Sequence, residues 1–409
     1  MNEPLELEVG SVAAGGACVA RAPDGRVVFV RHALPGERVR ALVTETTKSY
    51  LRADAIEVLE ASPDRVEPPC PYARPGRCGG CDWQHVALPR QRLLKAALVE
   101  EQLRRLAGLT RDIVVEAVPG DVEGLRWRTR VQFAVDRAGR AGLHRHRSHD
   151  LEPVDACLIA TEDVEAVGAE LLTWPGAKAV EVTASGAQRV VHVSGRIADV
   201  PEVEAGLVVN DQPRRVPHGV RHHVLGRSYE VSAGGFWQVH PGAATVLAAA
   251  VLEGLDAQPG DRVVDLYAGV GLFAALLGDR VGPTGSVLAL EGDPRACADA
   301  ARNTADQPQV RVRTVAVDAG TVSGRVGRPS LLVLDPPRAG AGVEVARAIV
   351  GLAPRRVVYV ACDPATFARD LKVFLDAGWE LGSLRAFDLF PMTEHVELVA
   401  MLHRPESAV

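Results

Sequence analysis

Val263-Val264-Asp265-Leu266-Tyr267-Ala268-Gly269-Val270-Gly271-Leu272-Phe273 reads as a buried strand that runs into a glycine turn and then a helix. Working outward, helix is expected at 243–255, strand at 262–266 and 287–291, and helix at 294–305. Strands at 331–335 and 357–361 and a helix at 366–377 follow. Strands alternating with helices predict a parallel sheet, so the fold class is α/β and residues 236–409 form a Rossmann-like domain. In such sheets ligands bind at the carboxyl ends of the strands, and glycines let the backbone approach them closely. Gly269-Val270-Gly271-Leu272-Phe273-Ala274 satisfies the relaxed dinucleotide fingerprint, and Glu291 ends the next strand where a ribose-binding acid belongs. These two features fit a nicotinamide cofactor and S-adenosylmethionine equally well.

The texture differs upstream. Residues 1–62 carry short alternating runs such as Leu5-Glu6-Leu7-Glu8-Val9 and Arg26-Val27-Val28-Phe29-Val30, with turn signals at Gly15-Gly16, Asp24-Gly25 and Pro35-Gly36. Several short strands in so few residues suit an OB-like β-barrel. Residues 63–235 read as a β-rich middle domain. Its one long helix, over 88–110, has Leu94, Leu98, Leu103 and Leu106 at helical spacing.

With 409 residues, 47% apolar and 24% charged, the chain is globular, and a disordered protein is excluded. Its apolar runs are far shorter than the ~20 residues a membrane span needs. Met1-Asn2-Glu3-Pro4 lacks an apolar signal core, which predicts a cytoplasmic protein. The net charge of −6 excludes a generally basic nucleic-acid binder. Locally, Arg126, Arg128, Arg130, Arg137, Arg140, Arg145 and Arg147 stand against the single acid Asp136, a face that could meet phosphate.

Leu331-Leu332-Val333-Leu334-Asp335-Pro336-Pro337-Arg338 ends a strand with an acid and two prolines. Such a loop is rigid, short of N–H donors, and able to wall a slot for a flat ring. Nucleic-acid methyltransferases use acid-Pro-Pro loops and dehydrogenases have no need of one, which favours S-adenosylmethionine. Cys362 then sits at the end of the next strand, directly before a helix whose N-terminus would favour its thiolate. The chain has seven cysteines, an odd number that disfavours a disulfide framework. Cys70, Cys78 and Cys81 are spaced Cys-x7-Cys-x2-Cys, with Cys157 available as a fourth ligand. Four thiolates suit zinc or an iron–sulfur cluster, and spacing alone leaves that choice open.

Cys362-Asp363-Pro364-Ala365-Thr366-Phe367-Ala368-Arg369-Asp370, taken with the Asp-Pro-Pro-Arg loop, resembles the RNA (uracil-5-)-methyltransferases that act on tRNA and large-subunit rRNA. The likeness extends over nearly the whole chain. Residues 1–62 look like a TRAM domain, and Gly235-Phe236-Trp237-Gln238-Val239 is similar to the family's cofactor-contacting segment. Phe390-Pro391-Met392-Thr393-Glu394-His395-Val396-Glu397 is similar to the segment that carries the catalytic base. The resemblance implies that Cys362 is the nucleophile and Glu397 the base, with Glu394 its nearby rival. It implies that Gln238, Tyr267, Glu291, Asp318 and Asp335 hold S-adenosylmethionine, and that the helix at 88–110 packs on the catalytic domain. Cys78-Gly79-Gly80-Cys81 followed by Trp83-Gln84-His85 resembles a [4Fe-4S] segment, implying Cys70, Cys78, Cys81 and Cys157 as its ligands, with zinc as the alternative. The implied enzyme is a monomer acting on RNA, rRNA ahead of tRNA. Leu272, His240 and Asp363 each replace an Asn common in the family. The competing readings are a cytosine-5 or amino methyltransferase of RNA and a non-catalytic iron–sulfur RNA-binding protein.

Overall fold

The structure is a computed structural model that describes residues 3–197 and 199–405. Period-two alternation builds the N-terminal sheet: Val28 and Val30 are fully buried and their strand neighbours are not. Its strands lie in the order Leu5–Glu8, Arg38–Thr46, Tyr50–Glu60, Val27–Arg31, Cys18–Arg21. Beyond the ends of the two edge strands, Gly10 N–H bonds Val19 O and Val19 N–H bonds Ser11 O. The middle of the chain forms a seven-stranded sheet whose central strands are Arg130–Val135, Ala177–Ser185 and Gln188–Gly195. Phe133, Trp174, Val180 and Val193 fill its core.

The third sheet has eight strands, ordered Val310–Thr314, Ser286–Glu291, Arg262–Leu266, Leu331–Leu334, Arg356–Ala361, Glu397–His403, Glu380–Asp388, Val115–Ala117. The first five are parallel, and Glu397–His403 runs antiparallel to its neighbours. Every residue of Leu331–Leu334 is buried, because helices cover both faces. From Arg262–Leu266 the chain steps outward to one edge, then returns to the other side at Leu331–Leu334. That reversal opens a crevice at the carboxyl ends of the strands.

The helix Leu88–Gln102 joins two cores. Leu94 and Leu98 pack into the N-terminal sheet, while Ala96 and Val99 pack on the eight-stranded one. It continues through a wider turn, Leu103–Ala107, and stops at Gly108, whose φ of 69° suits a left-handed cap. Lys95 points inward with no exposed surface and donates to Asp388, itself 2% exposed, and to Phe390 O. Burial pulls the Lys95 ammonium down, and Asp388 pushes it back. Arg92 reaches the same carboxylate at 3.3 Å. Breaking a buried pair strands a charge, whereas replacing both partners with apolar groups is far less costly. Lys95→Ala is therefore expected to lower stability by about 3 kcal/mol, and Lys95→Met with Asp388→Leu to recover most of it. Urea midpoints at constant slope measure both; an unshifted midpoint in the single variant would show that the pair holds nothing.

Candidate active site

Arg356–Ala361 is an apolar strand that stops where Asp363 caps the next helix, Pro364–Asp376, by accepting the Thr366 N–H at 2.8 Å. Cys362 lies between strand and cap. Ala361 pairs with Leu398 in the antiparallel register. One step further, Cys362 stands opposite Glu397, the first residue of its strand, so the register brings thiol and carboxylate together at one end of the sheet. Burial, then Glu397 and Asp335, push the Cys362 thiol up to about 12, against Arg338 alone. That balance favours the thiol, against the pull toward thiolate expected from the helix end. The helix end cannot offset the acids, because Asp363 occupies the Thr366 N–H and Pro364 has no N–H to offer.

Around Cys362 the groups are mostly acids. Glu397 is 3% exposed, and burial next to Asp335 raises its carboxyl well above the usual range. Desolvation lifts Asp335 to about 7. Arg338 donates to His395 Nε2 at 3.1 Å; burial lowers this imidazole to about 4, so it is neutral and accepts. The loop from Asp335 to Gly342 is braced from behind. The Tyr359 hydroxyl accepts from Ala341 N–H at 2.9 Å and donates to Asp370 at 2.8 Å, and Thr366 Oγ1 donates to Arg338 O.

The 390–397 loop is clamped at Met392, whose φ is 67°. Its N–H donates to Gln91 Oε1 at 2.8 Å, and its carbonyl accepts from Asp82 N–H and Trp83 N–H, both at 3.0 Å. Trp83 Nε1 in turn donates to Gly16 O, and Gly15 N–H donates to Glu394. Ala14 and Gly15 of the N-terminal domain therefore line a cavity of about 110 Å³ together with Arg338, Cys362 and Glu394.

The other predicted residues follow along the same sheet edge. Asp335, Tyr267 and Glu291 end three adjacent strands, and Asp318 caps the helix Ala319–Arg325 after the fourth, accepting Thr321 N–H at 2.7 Å. Tyr267 has φ 63°, uncommon for a residue with a side chain and a marker of a constrained functional turn. Glu291 accepts from Gly269 N–H and Asp293 N–H, which fixes the glycine turn, and the space above Gly269 is open. Gln238 comes from a different segment. Trp237 beside it stacks on His222 at 4.4 Å, and Arg130 holds Gly235 O. Sequence reading passed over Asp265. It has no exposed surface, neither carboxylate oxygen makes a well-formed hydrogen bond, and burial with Asp335 and Glu291 nearby raises it well above the carboxylate range, offset only in part by the Ala274 N–H beside it. An acid inside the apolar run Val263-Val264-Asp265-Leu266 was the available signal.

A model of the TRAM domain matches residues 2–56, and one described as tRNA (Uracil-5-)-methyltransferase matches residues 328–405. An uncharacterized RNA methyltransferase of Streptomyces avermitilis is 50% identical, with 98% of each chain covered. The chain belongs to the RNA (uracil-5-)-methyltransferase family. Another uncharacterized RNA methyltransferase, from Bifidobacterium longum, is 36% identical over 98% of this methyltransferase and 96% of its own length. The crystal structure of Pyrococcus abyssi tRNA (uracil-54, C5)-methyltransferase in complex with S-adenosyl-L-homocysteine superposes with a TM-score of 0.72. It is 22% identical and covers 97% of this chain and 100% of its own, so the whole fold is shared.

In the methyltransferase, Cys70, Cys78, Cys81 and Cys157 form no disulfide and line one cavity of about 330 Å³. Gly79 lies against His146, where a Cβ would come within 2.6 Å of its Cα, so only glycine passes between Cys78 and the hairpin. No three His, Cys, Asp or Glu among the described residues are placed to hold a single metal ion. The arginine-rich stretch is less free than its sequence implies. Arg126 pairs with Glu165, Arg130 with Glu181, Arg140 with Asp136 and Arg145 with Glu152, so four of the seven are spent on internal acids.

Asp363 is one of the acids that raise the Cys362 thiol. Asn at this position keeps the cap and removes the charge. Asp363→Asn is therefore expected to lower the thiol pKa and speed Cys362 alkylation at neutral pH several-fold. Iodoacetamide rates against pH check this, and an unchanged profile would show that Asp363 acts only as a cap.

Proposed function

We propose that the protein methylates carbon 5 of a uridine in RNA, with Cys362 as nucleophile and Glu397 as base. The observation that carries this reading is the register that sets Cys362 opposite Glu397 at the carboxyl end of a methyltransferase sheet. Bound S-adenosylmethionine supplies an electrophilic methyl group on a sulfonium cation. Tyr267, Glu291, Asp318 and Asp335 would hold it, with Gln238 contributing from its own segment. The orphaned Asp265 carboxyl, the acids beside it and the open space above Gly269 suit a cationic ligand with a ribose. Once deprotonated, Cys362 adds to carbon 6 of the uracil and makes carbon 5 nucleophilic. After carbon 5 has gained its methyl group, Glu397 takes the carbon 5 proton, the carbon–sulfur bond breaks, and the thiolate returns. A carboxylate with a raised proton affinity suits abstraction from carbon better than an ordinary one. Arg338, held by His395, places a positive charge against these acids, while Glu394 is engaged by Gly15 and serves the wall of the cavity. A stacked target base must be flipped to reach this buried edge.

The RNA class is open to direct mapping. The Pyrococcus tRNA enzyme matches 97% of this chain, so the presence of the N-terminal domain does not favour rRNA over tRNA. Sequencing for 5-methyluridine in cells with and without the gene identifies the target.

The test of mechanism separates nucleophile from base. Cys362→Ala is expected to abolish methyl transfer and any covalent complex. Glu397→Gln should still add and methylate but fail to release, giving a protein–RNA band on a denaturing gel that carries label from the methyl donor. Full turnover by Cys362→Ala would overturn the uracil-5 mechanism and favour amino methylation at the Asp335 loop. Label found on cytosine would favour the cytosine-5 reading.

We also infer a [4Fe-4S] cluster on Cys70, Cys78, Cys81 and Cys157. Supporting this is the one cavity that all four thiols line. Anaerobically purified protein should be brown, with near-equal iron and acid-labile sulfide. Stoichiometric zinc without sulfide would overturn the assignment.

A further inference from the structure

A second cavity lies away from Cys362. It is an open groove of about 650 Å³ at the amino-terminal edge of the eight-stranded sheet. Its floor includes Val264, Leu288 and Val326, and its rim carries Arg262, Arg311, Arg313 and Arg325. No acid lines it. All four arginines are exposed, and the ion pairs among the described residues engage none of them. The nearest acid in sequence, Asp261, is already paired with Arg355 through both oxygens.

The groove follows from the fold. Val310 and Val312 turn to the core on one face of their strand, so Arg311 and Arg313 share the other face. The helix on that side, Ala319–Arg325, is only seven residues long; Leu290 is buried, but Leu288 is half-buried and Arg311 and Arg313 stay exposed. Four unpaired guanidinium groups on a protein of net charge −6 concentrate positive potential where an anion can reach it.

We propose that this groove binds the phosphate backbone of the RNA substrate at a point remote from the methylated base. The proposal rests on the reading of the protein as an RNA methyltransferase. Arg311 and Arg313 stand on the edge strand, four strand spacings from the strand that leads to Cys362, a lateral gap of roughly 19 Å. The groove therefore grips a part of the folded RNA other than the target nucleotide, and acts on affinity rather than on chemistry. Guanidinium groups suit phosphate oxygens, and an apolar floor accommodates sugar edges.

The test uses the full-length protein and two probes, unfractionated tRNA and a transcribed large-subunit rRNA, in filter binding across a salt series. Arg311→Gln with Arg313→Gln is expected to weaken binding of the cognate RNA at least tenfold near ~100 mM salt. The slope of log affinity against log salt should shrink by about two, one unit per lost phosphate contact. Arg311→Lys with Arg313→Lys should retain most of the slope, which a merely structural role would not predict. Binding of S-adenosylmethionine should be unchanged in both variants, which verifies the fold. An unchanged RNA affinity and slope in the Gln variant overturns the proposal and leaves an acidic protein as the occupant to seek. Incorporation of labelled methyl groups by the unaltered protein is read separately, so a failure of the methyltransferase reading is not confused with a failure of the groove.

Discussion

Met392 sits in a left-handed backbone conformation, and three hydrogen bonds keep it there. For a side chain of this size that conformation costs of order 1 kcal/mol and persists only where the surroundings over-determine it. The donors and acceptors come from Gln91, on the helix that bridges two cores, and from Asp82 and Trp83, directly after Cys81. Five residues later the chain enters the strand that begins with Glu397. The position of the proposed base is therefore set by the bridging helix, the cysteine segment and, through Trp83 and Gly16, the N-terminal sheet. Lys95 and Asp388 add a buried ionic tie just before the loop. A catalytic domain cut out at residue 236 would lose every one of these supports, so the upstream domains are part of the active site as well as candidates for holding RNA.

Burial has a second effect at this edge. Asp265, Asp335, Glu397 and Cys362 are all shifted toward their protonated forms: Asp335 by desolvation, and the other three by desolvation first and by the neighbouring Asp335 as well. Such a set holds protons collectively, and adding one cation lowers the proton affinity of all of them at once. Without added positive charge, burial and the neighbouring acids favour the thiol form of Cys362. A nucleophile that is released only when positive charge arrives is protected from oxidation and stray alkylation between turnovers.

Much of this was legible in the sequence, for identifiable reasons. The glycine turn at 269–271, the acid at Glu291 and the Asp-Pro-Pro-Arg loop each sit at a strand end, where residue type and hydrophobic period agree on both the element and its edge. Cys362 and Glu397 are far apart in the chain, and only the antiparallel return of the last strand brings them together. Charge was read less well. Seven arginines in one stretch suggested a phosphate face, but their acids, Glu152, Glu165 and Glu181, come from neighbouring segments that one-dimensional reading does not place beside them. Likewise the thiolate expected from a helix N-terminus ignored Asp363, whose cap consumes that end. Long-range pairing, rather than local propensity, separates what was read from what was missed.

The sheet is electrically uneven. Asp265, Glu291, Asp318, Asp335 and Glu397 gather at the carboxyl edge, while Arg262, Arg311, Arg313 and Arg325 line the groove on the outer strands, with Arg313 beside Leu290 one residue short of that edge. An acidic edge is a good receptor for a small cation and a poor one for a polyanion. RNA gains little by bringing phosphates near Cys362 and is best received there as a single extruded base, with its backbone held elsewhere. An enzyme that must attract a sulfonium and a nucleic acid to the same reaction meets opposite electrostatic demands. In the proposed arrangement the arginine groove lies to the side of the acidic edge, on the outer strands, and only a neutral pyrimidine has to reach Cys362, which satisfies both.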